Sequence, residues 1–277
     1  MKVAVFGTTG MLGHVVASVL ESKKFNVMSV NRDKIDAQFC SVNDIQYQID
    51  GVSWAINCIG LIKPYIHDDN PSDVQKAISI NALFPYKLAE AANRVNAKVI
   101  QIATDCVYDG QKGSYLETDN HNAIDVYGKT KSLGEVRTDN LINLRCSVIG
   151  RESKSKSSLL EWFLNQPVNA KIDGYKNHLW NGVTTVVFAK TCAGIMRNNI
   201  LINAVQHLVP ANTVTKAEML REFKKIFHRS DIVIEDIFAN TGIDRTLVTG
   251  NSETNEIIWN AAGYKRIPTI QEMVREI

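Results

Sequence analysis

Paired cysteines, long apolar runs, internal repeats and an excess of either charge are all missing from this chain, and each absence removes a class of function. The five cysteines, Cys40, Cys58, Cys106, Cys146 and Cys192, are odd in number, widely spaced and never arranged as Cys-x-x-Cys. That pattern argues against a disulfide framework or a zinc site and fits a reducing cytoplasm. Nothing in the sequence suggests another metal. No apolar stretch reaches membrane-spanning length, and a strand-like run begins at Lys2, leaving no room for a signal peptide, so the expected location is cytoplasmic. Lysine and arginine total 31 against 29 aspartates and glutamates, and a net charge of +2 makes no case for nucleic acid or an anionic membrane. Lys154 and Lys156 lie in a serine-rich stretch read as a solvated loop rather than a polyanion site.

What is present is an alternation of strands and helices in 277 residues, enough for one large domain or two unequal lobes. Lys2 to Phe6 reads as a strand, a glycine-spaced turn follows, and Met11 to Leu20 carries a helical apolar pattern. Further strand-like runs stand at Asn26 to Val30, Ser53 to Cys58, Lys98 to Ala103 and Leu141 to Cys146, with helical segments between them. This order predicts an α/β fold, a Rossmann-type doubly wound parallel sheet covered on both faces. The longest helical pattern, 71–95, opens with Pro71 and should kink at Pro85. Beyond Gly150 the pattern loosens into a loop, a short helix at Leu159 to Leu164 and irregular polar sequence. Residues 184–206 read as a helix and a strand returning to the sheet, followed by an amphipathic helix from Lys216 to Phe227 and a terminal helix after Pro268. The expected division is a dinucleotide-binding domain over 1–150 with a return segment at about 181–206, and a smaller C-terminal α+β substrate-binding lobe over 151–180 and 207–277.

Gly7-Thr8-Thr9-Gly10-Met11-Leu12-Gly13 links a strand to a helix, the setting in which bare backbone can approach a pyrophosphate at the helix N-terminus. The second strand ends in Val30-Asn31-Arg32, with no acidic residue for an unphosphorylated ribose and with Arg32 available for a 2′-phosphate. NADP(H) is therefore expected over NAD(H). Downstream, Tyr127 and Lys131 stand four residues apart, on one face if 125–137 is helical, with Leu133 and Val136 continuing the apolar stripe. Lowering a phenol of pKa about 10 by three units takes roughly 4 kcal/mol. One ammonium at about 4 Å in an effective dielectric of about 20 supplies that much, provided desolvation of the phenolate does not cancel it. Tyr108 and Lys112 share the spacing, but Asp109-Gly110 between them is a turn dipeptide.

The glycine turn, Asn57-Cys58-Ile59-Gly60 (placed after a fourth strand), Asn81, Ala103-Thr104-Asp105-Cys106-Val107-Tyr108-Asp109-Gly110, Tyr115 to Asp119, Tyr127 to Lys131 and Leu144 to Gly150 together resemble the extended short-chain dehydrogenase/reductase family. The branch they are most similar to is that of the nucleotide-sugar 4-keto reductases. The resemblance implies reduction of a nucleotide-linked 4-keto-6-deoxy sugar, in deoxysugar and cell-surface polysaccharide biosynthesis. It implies that Thr104 hydrogen-bonds the substrate carbonyl, that Tyr127 donates a proton, and that Lys131 holds the nicotinamide ribose and stabilises the phenolate. Coenzyme contacts would come from Gly7, Thr9, Gly10, Met11, Leu12, Gly13, Asn31, Arg32, Asn57, Cys58, Ile59, Tyr127, Lys131 and Cys146. Asp105 and Cys106 would face the sugar, and His178, Trp180 and Arg245 are candidate substrate contacts, although Trp180 also suits a core and Arg245 a surface ion pair. A homodimer through helices beside the sheet is the family habit. The residues before Tyr127, Asn122 to Val126, depart from the family, and the C-terminal lobe matches it weakly. Two alternatives stay open: an epimerase-reductase of the fucose-synthase type using Cys106, and a nucleotide-binding regulatory subunit without catalysis. His14, after the glycine turn, reads as packed or solvated.

Overall fold

In the computed structural model, which describes residues 1–152, 158–200, 202 and 205–277, Lys2–Phe6 forms β1 and sends alternate side chains to opposite faces. Val3 and Val5 enter one core; Ala4 and Phe6 enter the other. The chain continues through α1 (Met11–Ser22), β2 (Asn26–Val30), α2 (Val42–Gln48), β3 (Trp54–Asn57), α3 (Pro71–Ala77), α4 (Phe84–Arg94), β4 (Lys98–Ala103), α5 (Val126–Leu133) and β5 (Leu141–Arg145). There follow β6 (Val148–Ile149), α6 (Leu159–Leu164), β7 (Lys171–Tyr175), β8 (His178–Trp180), β9 (Val183–Thr184), α7 (Thr185–Asn198) and β10 (Val205–His207). The chain closes with β11 (Val214–Thr215), α8 (Lys216–Ile226), β12 (Val233–Ile237), β13 (Ile243–Asp244), α9 (Ser252–Ala261) and α10 (Ile270–Val274). Lys154 and Lys156 lie outside the described residues.

Among the described residues, six parallel strands pair in the order β10-β5-β4-β3-β1-β2. Leu12, Val16 and Leu20 of α1 and Val187 and Phe188 of α7 cover one face; Ile45 of α2 and Phe84, Leu88 and Ala92 of α4 cover the other. The strand order reverses at β1, which has β2 on one side and β3 on the other. In an open parallel sheet such a reversal leaves a crevice beyond the C-terminal strand ends. β10 returns to the sheet edge beside β5, as the sequence pattern indicates. The remaining strands form three small sheets, β6-β9, β11-β8-β13 and β12-β7, and α8 packs against the last two.

Three local expectations are corrected. Asn57 to Gly60 follows the third strand, since 31–53 contributes a helix and turns but no strand. The helical irregularity expected at Pro85 begins one turn earlier: Ile78–Leu83 winds as a wide π-helical segment, and Pro85 sits in the first turn of α4. Proline has no N–H for the carbonyl of Asn81, four residues back, and a wider turn accommodates its ring. The helix expected over 125–137 stops at Leu133, where Gly134 caps it. Leu133 faces solvent instead of extending an apolar stripe, and Val136 reaches the core from the segment beyond the cap.

Candidate active site

Asp125 starts α5 by accepting the Gly128 N–H at 2.7 Å, which places Tyr127 in the first helical turn and Lys131 one turn later. Asn81 ties this helix to the loop after β3. Its Oδ1 accepts Leu61 N–H at 2.8 Å, while its Nδ2 donates to Leu61 O at 2.9 Å and to Thr130 Oγ1 at 3.2 Å. Thr104 follows β4 directly, and its Oγ1 accepts the Cys106 N–H and donates to Asp105 Oδ1, both at 3.2 Å. These elements enclose a cavity of about 390 Å³. Its wall takes Gly10, Met11 and Leu12 from the glycine turn, Cys58 and Ile59 from beyond β3, and Thr104, Asp105 and Cys106 from beyond β4. Tyr127, Lys131 and Cys146 complete the set of expected residues on it.

The glycine turn has the shape of an anion cradle. Gly7 adopts φ +81°, a left-handed conformation that a side chain disfavours, and a methyl group at Gly13 would overlap the Gly7 carbonyl. Gly10 caps α1 without a side-chain hydrogen bond, so no side chain there competes for the N–H groups of the first turn. Beyond β2, Asn31 Oδ1 is buried with no hydrogen-bond partner, an acceptor available to a ligand hydroxyl. Together these observations fit a dinucleotide. Arg32 is exposed and paired with Asp36 at 2.9 Å.

The phenol–ammonium pair does not stand as the spacing suggests. Lys131 Nζ donates to the Ile102 carbonyl at 3.0 Å, and burial pushes its pKa down to about 8, opposed by Glu135. Enclosure in the pocket raises the Tyr127 phenol well above its ordinary value, with Cys106 and Asp105 adding to the rise and the neighbouring Thr104 opposing it. Desolvation therefore outweighs the single lysine. Burial likewise lifts the Cys106 thiol to about 12, and it raises Asp105 despite the nearby Arg245 guanidinium.

Other expected residues stand elsewhere. Asn57 is a brace, donating to Gln101 Oε1 at 3.0 Å and accepting the Ile59 N–H at 3.1 Å. Gly7, Thr9, Gly13, Asn31 and Arg32 lie outside the cavity wall, as do His178, Trp180 and Arg245. His178 stacks on Tyr175 with centroids 4.8 Å apart, and Trp180 packs against the main core. Arg245 donates to the carbonyls of Tyr108 and Asp109 at 2.9 and 3.3 Å rather than joining a surface ion pair. His14 is half-buried on α1, its Nδ1 2.8 Å from the Gly10 carbonyl oxygen. In the Tyr108–Lys112 pair, Gly110 has φ +86° and Tyr108 stacks on Tyr115, confirming the turn.

Sequence reasoning missed several groups. Lys63 reaches Asp125 at 2.6 Å and lies 5.9 Å from the Tyr127 ring centroid, and Ile62, Tyr65 and Glu152 line the cavity. It also missed a buried polar network around Arg145 at the end of β5. The guanidinium holds Glu135 through Nε at 2.9 Å and Nη2 at 2.5 Å, and donates to Tyr108 Oη at 2.6 Å. It contacts Nε2 of His207 and of His121, each at 2.7 Å. Both imidazoles must accept there, so their Nδ1 protons point to Val248 O at 2.7 Å and Ser132 Oγ at 2.6 Å. Local spacing gives no signal for a network drawn from six separate segments.

The family model for the RmlD substrate binding domain matches residues 1–171. The chain is 32% identical over 137 residues to a dTDP-4-dehydrorhamnose reductase of Aggregatibacter actinomycetemcomitans, spanning 48% of this chain and 45% of that protein. It is 26% identical over 146 residues to the methionine adenosyltransferase 2 subunit beta of Bos taurus, spanning 48% of this chain and 41% of that one. The match thus covers less than half of either relative. The fold is similar to the crystal structure of a Bacillus anthracis dTDP-4-dehydrorhamnose reductase in complex with NADP, with a TM-score of 0.77 and 16% identity over 99% of this chain and 97% of that one. No helix among the described residues is long and apolar enough to cross a membrane.

Proposed function

The chain belongs to the family of the RmlD substrate binding domain, and from that membership we propose that it reduces the 4-keto group of a nucleotide-linked 4-keto-6-deoxy sugar with NADPH. The observation that carries this reading is the convergence of Thr104, Tyr127 and Lys131 on one cavity that opens beside the glycine cradle at the strand-order reversal. In this reading α1 receives the pyrophosphate, Asn31 Oδ1 a ribose hydroxyl and Arg32 the 2′-phosphate, while Met11, Leu12, Cys58, Ile59 and Cys146 line the nicotinamide side. A reduced nicotinamide bound along these residues would supply the hydride for the ketone carbon. Thr104 and Tyr127 orient the carbonyl oxygen, and Tyr127 passes its proton to that oxygen as negative charge develops on it. A phenol held well above its ordinary pKa stays protonated until then. Lys131, one helical turn away, is cationic at neutral pH and offsets the charge left on Tyr127. The C-terminal segments, 151–180 and 207–277, form the substrate-binding lobe, and a cytoplasmic homodimer completes the reading.

Two features weigh against the alternatives. With its thiol pushed up to about 12, Cys106 is poorly suited to exchange a proton next to a ketone, which favours one-step reduction over epimerisation with reduction. The likeness to a methionine adenosyltransferase beta subunit motivates a regulatory role. Retention of Thr104, Tyr127 and Lys131 on one cavity favours catalysis. The test is to offer dTDP-, UDP- and GDP-linked 4-keto-6-deoxy sugars with NADPH, following absorbance and identifying products by NMR. One or more should be reduced to the 4-hydroxy sugar; oxidation of NADPH with none of them refutes the proposal.

A further inference from the structure

Reduction as read above needs coenzyme and phenol at a fixed separation, and the present inference rests on that reading. Cys58 and Ile59, on the coenzyme side of the wall, follow β3, whereas Tyr127 and Lys131 are carried by α5. β4 pairs with both β3 and β5, and the register sets Asn57, Gln101 and Asn143 in one row across the three strands. All three are at most 2% exposed and share a sheet face with Ala55, Val99 and Leu141. Their amides form one directed chain. Ile59 N–H donates to Asn57 Oδ1 at 3.1 Å, Asn57 Nδ2 to Gln101 Oε1 at 3.0 Å, and Gln101 Nε2 to Gly134 O at 2.6 Å. A longer branch runs from Gln101 Nε2 to Asn143 Oδ1 at 3.4 Å, and Asn143 Nδ2 donates to Val136 O at 2.8 Å. The ends force this direction: a backbone N–H can only donate and a backbone carbonyl only accept, so no amide in the row flips without leaving a buried group unpaired.

Gly134 caps α5 three residues after Lys131, and a Cβ there would overlap the Asn81 carbonyl, so the end of the helix has little room to shift. Lys131 Nζ donates to Ile102 O, the residue after Gln101, at 3.0 Å. β4 therefore grips α5 from two adjacent residues. The helix is eight residues long, about two turns, so a contact that fixes its end also fixes the phenol on its first turn. Gln101 itself stands off the cavity wall and acts only through the elements it joins. We propose that Gln101 is a positioning residue for the reduction, its amide holding the wall after β3 and the C-terminus of α5 at one separation and so setting Tyr127 and Lys131 against Cys58 and Ile59.

The experiment compares wild type with Gln101→Met, similar in size but without the amide, and with Asn143→Val, which cuts only the branch beyond α5. Both variants should melt below wild type. In the coenzyme-free proteins, amide exchange over 57–61 and 126–134 should quicken together in Gln101→Met, by about tenfold for one lost hydrogen bond, and stay near wild type in Asn143→Val. After rapid mixing with NADPH and the 4-keto sugar, the first turnover of Gln101→Met should keep its amplitude per folded site. Its rate constant should fall by about 10- to 100-fold, the scale of a misplacement of about 1 Å, while Asn143→Val stays within about threefold of wild type. Gln101→Glu at about pH 6 should recover the wild-type rate constant, because a fully buried carboxyl keeps its proton there and offers Gly134 a hydroxyl donor and Asn57 a carbonyl. Should Gln101→Met not fold, Gln101→Glu carries the test at rising pH, where ionisation removes the donor and should slow it relative to wild type. Loss of amplitude alone, or equal slowing in Asn143→Val, assigns Gln101 a merely structural role and overturns the proposal. Unchanged exchange in Gln101→Met, or no recovery in Gln101→Glu, overturns it as well. Wild type that oxidises no NADPH with any 4-keto sugar sinks the reductase reading and the positioning role with it, whereas active wild type matched by Gln101→Met refutes the positioning role alone.

Discussion

Replacing Glu135 by glutamine would strand a cation in the protein interior. The Arg145 side chain has no exposure, and Glu135 is its carboxylate partner through both Nε and Nη2. Its other partners, Tyr108 and two imidazoles accepting through Nε2, are neutral and cannot replace that charge. Removing one member of a buried ion pair costs about 3 to 5 kcal/mol, a sizeable share of the roughly 5 to 15 kcal/mol that holds a domain together. At about 2.1 cal/mol/K of unfolding entropy per residue, 277 residues give about 0.6 kcal/mol/K, so the melting temperature should fall by about 5 to 9 °C. Arg94→Ala is the control: its ion pair with Glu90 is exposed, and its loss should cost about 1 kcal/mol or less. The double variant Glu135→Leu with Arg145→Met should lose less than Glu135→Gln, because no charge is then left unpaired. The substitution also reaches the site. Glu135 opposes the loss of charge on Lys131, so the variant's Lys131 should deprotonate at lower pH and the alkaline limb of kcat/KM should move down in pH. Calorimetry and urea unfolding measure the first effect and a pH–rate profile the second. A Glu135→Gln protein within about 1 kcal/mol of wild type would show that the pair is not the buried, charge-compensating contact described.

Tyr127→Phe should lower turnover by about 10²- to 10⁴-fold while sparing coenzyme affinity, and a variant retaining more than about a tenth of the rate removes the phenol as the acid. Arg32→Ala should weaken NADPH relative to NADH by about 1.5 to 3 kcal/mol, or about 10- to 150-fold by titration, and equal losses refute a 2′-phosphate contact. Cys106→Ser should keep substantial activity, and product formed in deuterated water should carry no enzyme-dependent deuterium beside the former ketone; cysteine-dependent incorporation would establish epimerisation. Burial and the adjacent Arg145 push the His207 pKa down to about 4, with Glu117 opposing. The unfolded chain, with histidine near about 6.5, then binds the extra proton between those values, so stability present above about pH 6.5 is lost as pH falls toward about 4. Urea midpoints should drop across that window and drop less in His207→Gln; a flat wild-type profile contradicts the buried neutral imidazole.

Features of short range were legible in the sequence. Strand-like runs at β1, β2, β3, β4 and β5 agree with the observed strands to within a residue at either end, because period-two alternation and bounding turns are properties of the local chain. The glycine cradle and the Tyr127–Lys131 spacing were readable for the same reason: a tight turn and a helical repeat act over a few residues. The placement of Thr104 beside that pair followed from resemblance, and the strand order explains it, since β4 and the loop after β3 end at the same crevice. Tertiary structure alone decided the protonation balance of the site. A lysine one turn away sets a Coulomb term that can be estimated from spacing, whereas desolvation depends on everything else that packs around the phenol. Lys63 against Asp125, Arg245 on the backbone of Tyr108, and the Arg145 cluster drawn from six segments have the same origin. They are pairings between residues up to 137 positions apart, which no local pattern encodes and which exist only once the sheet has brought its strand ends together.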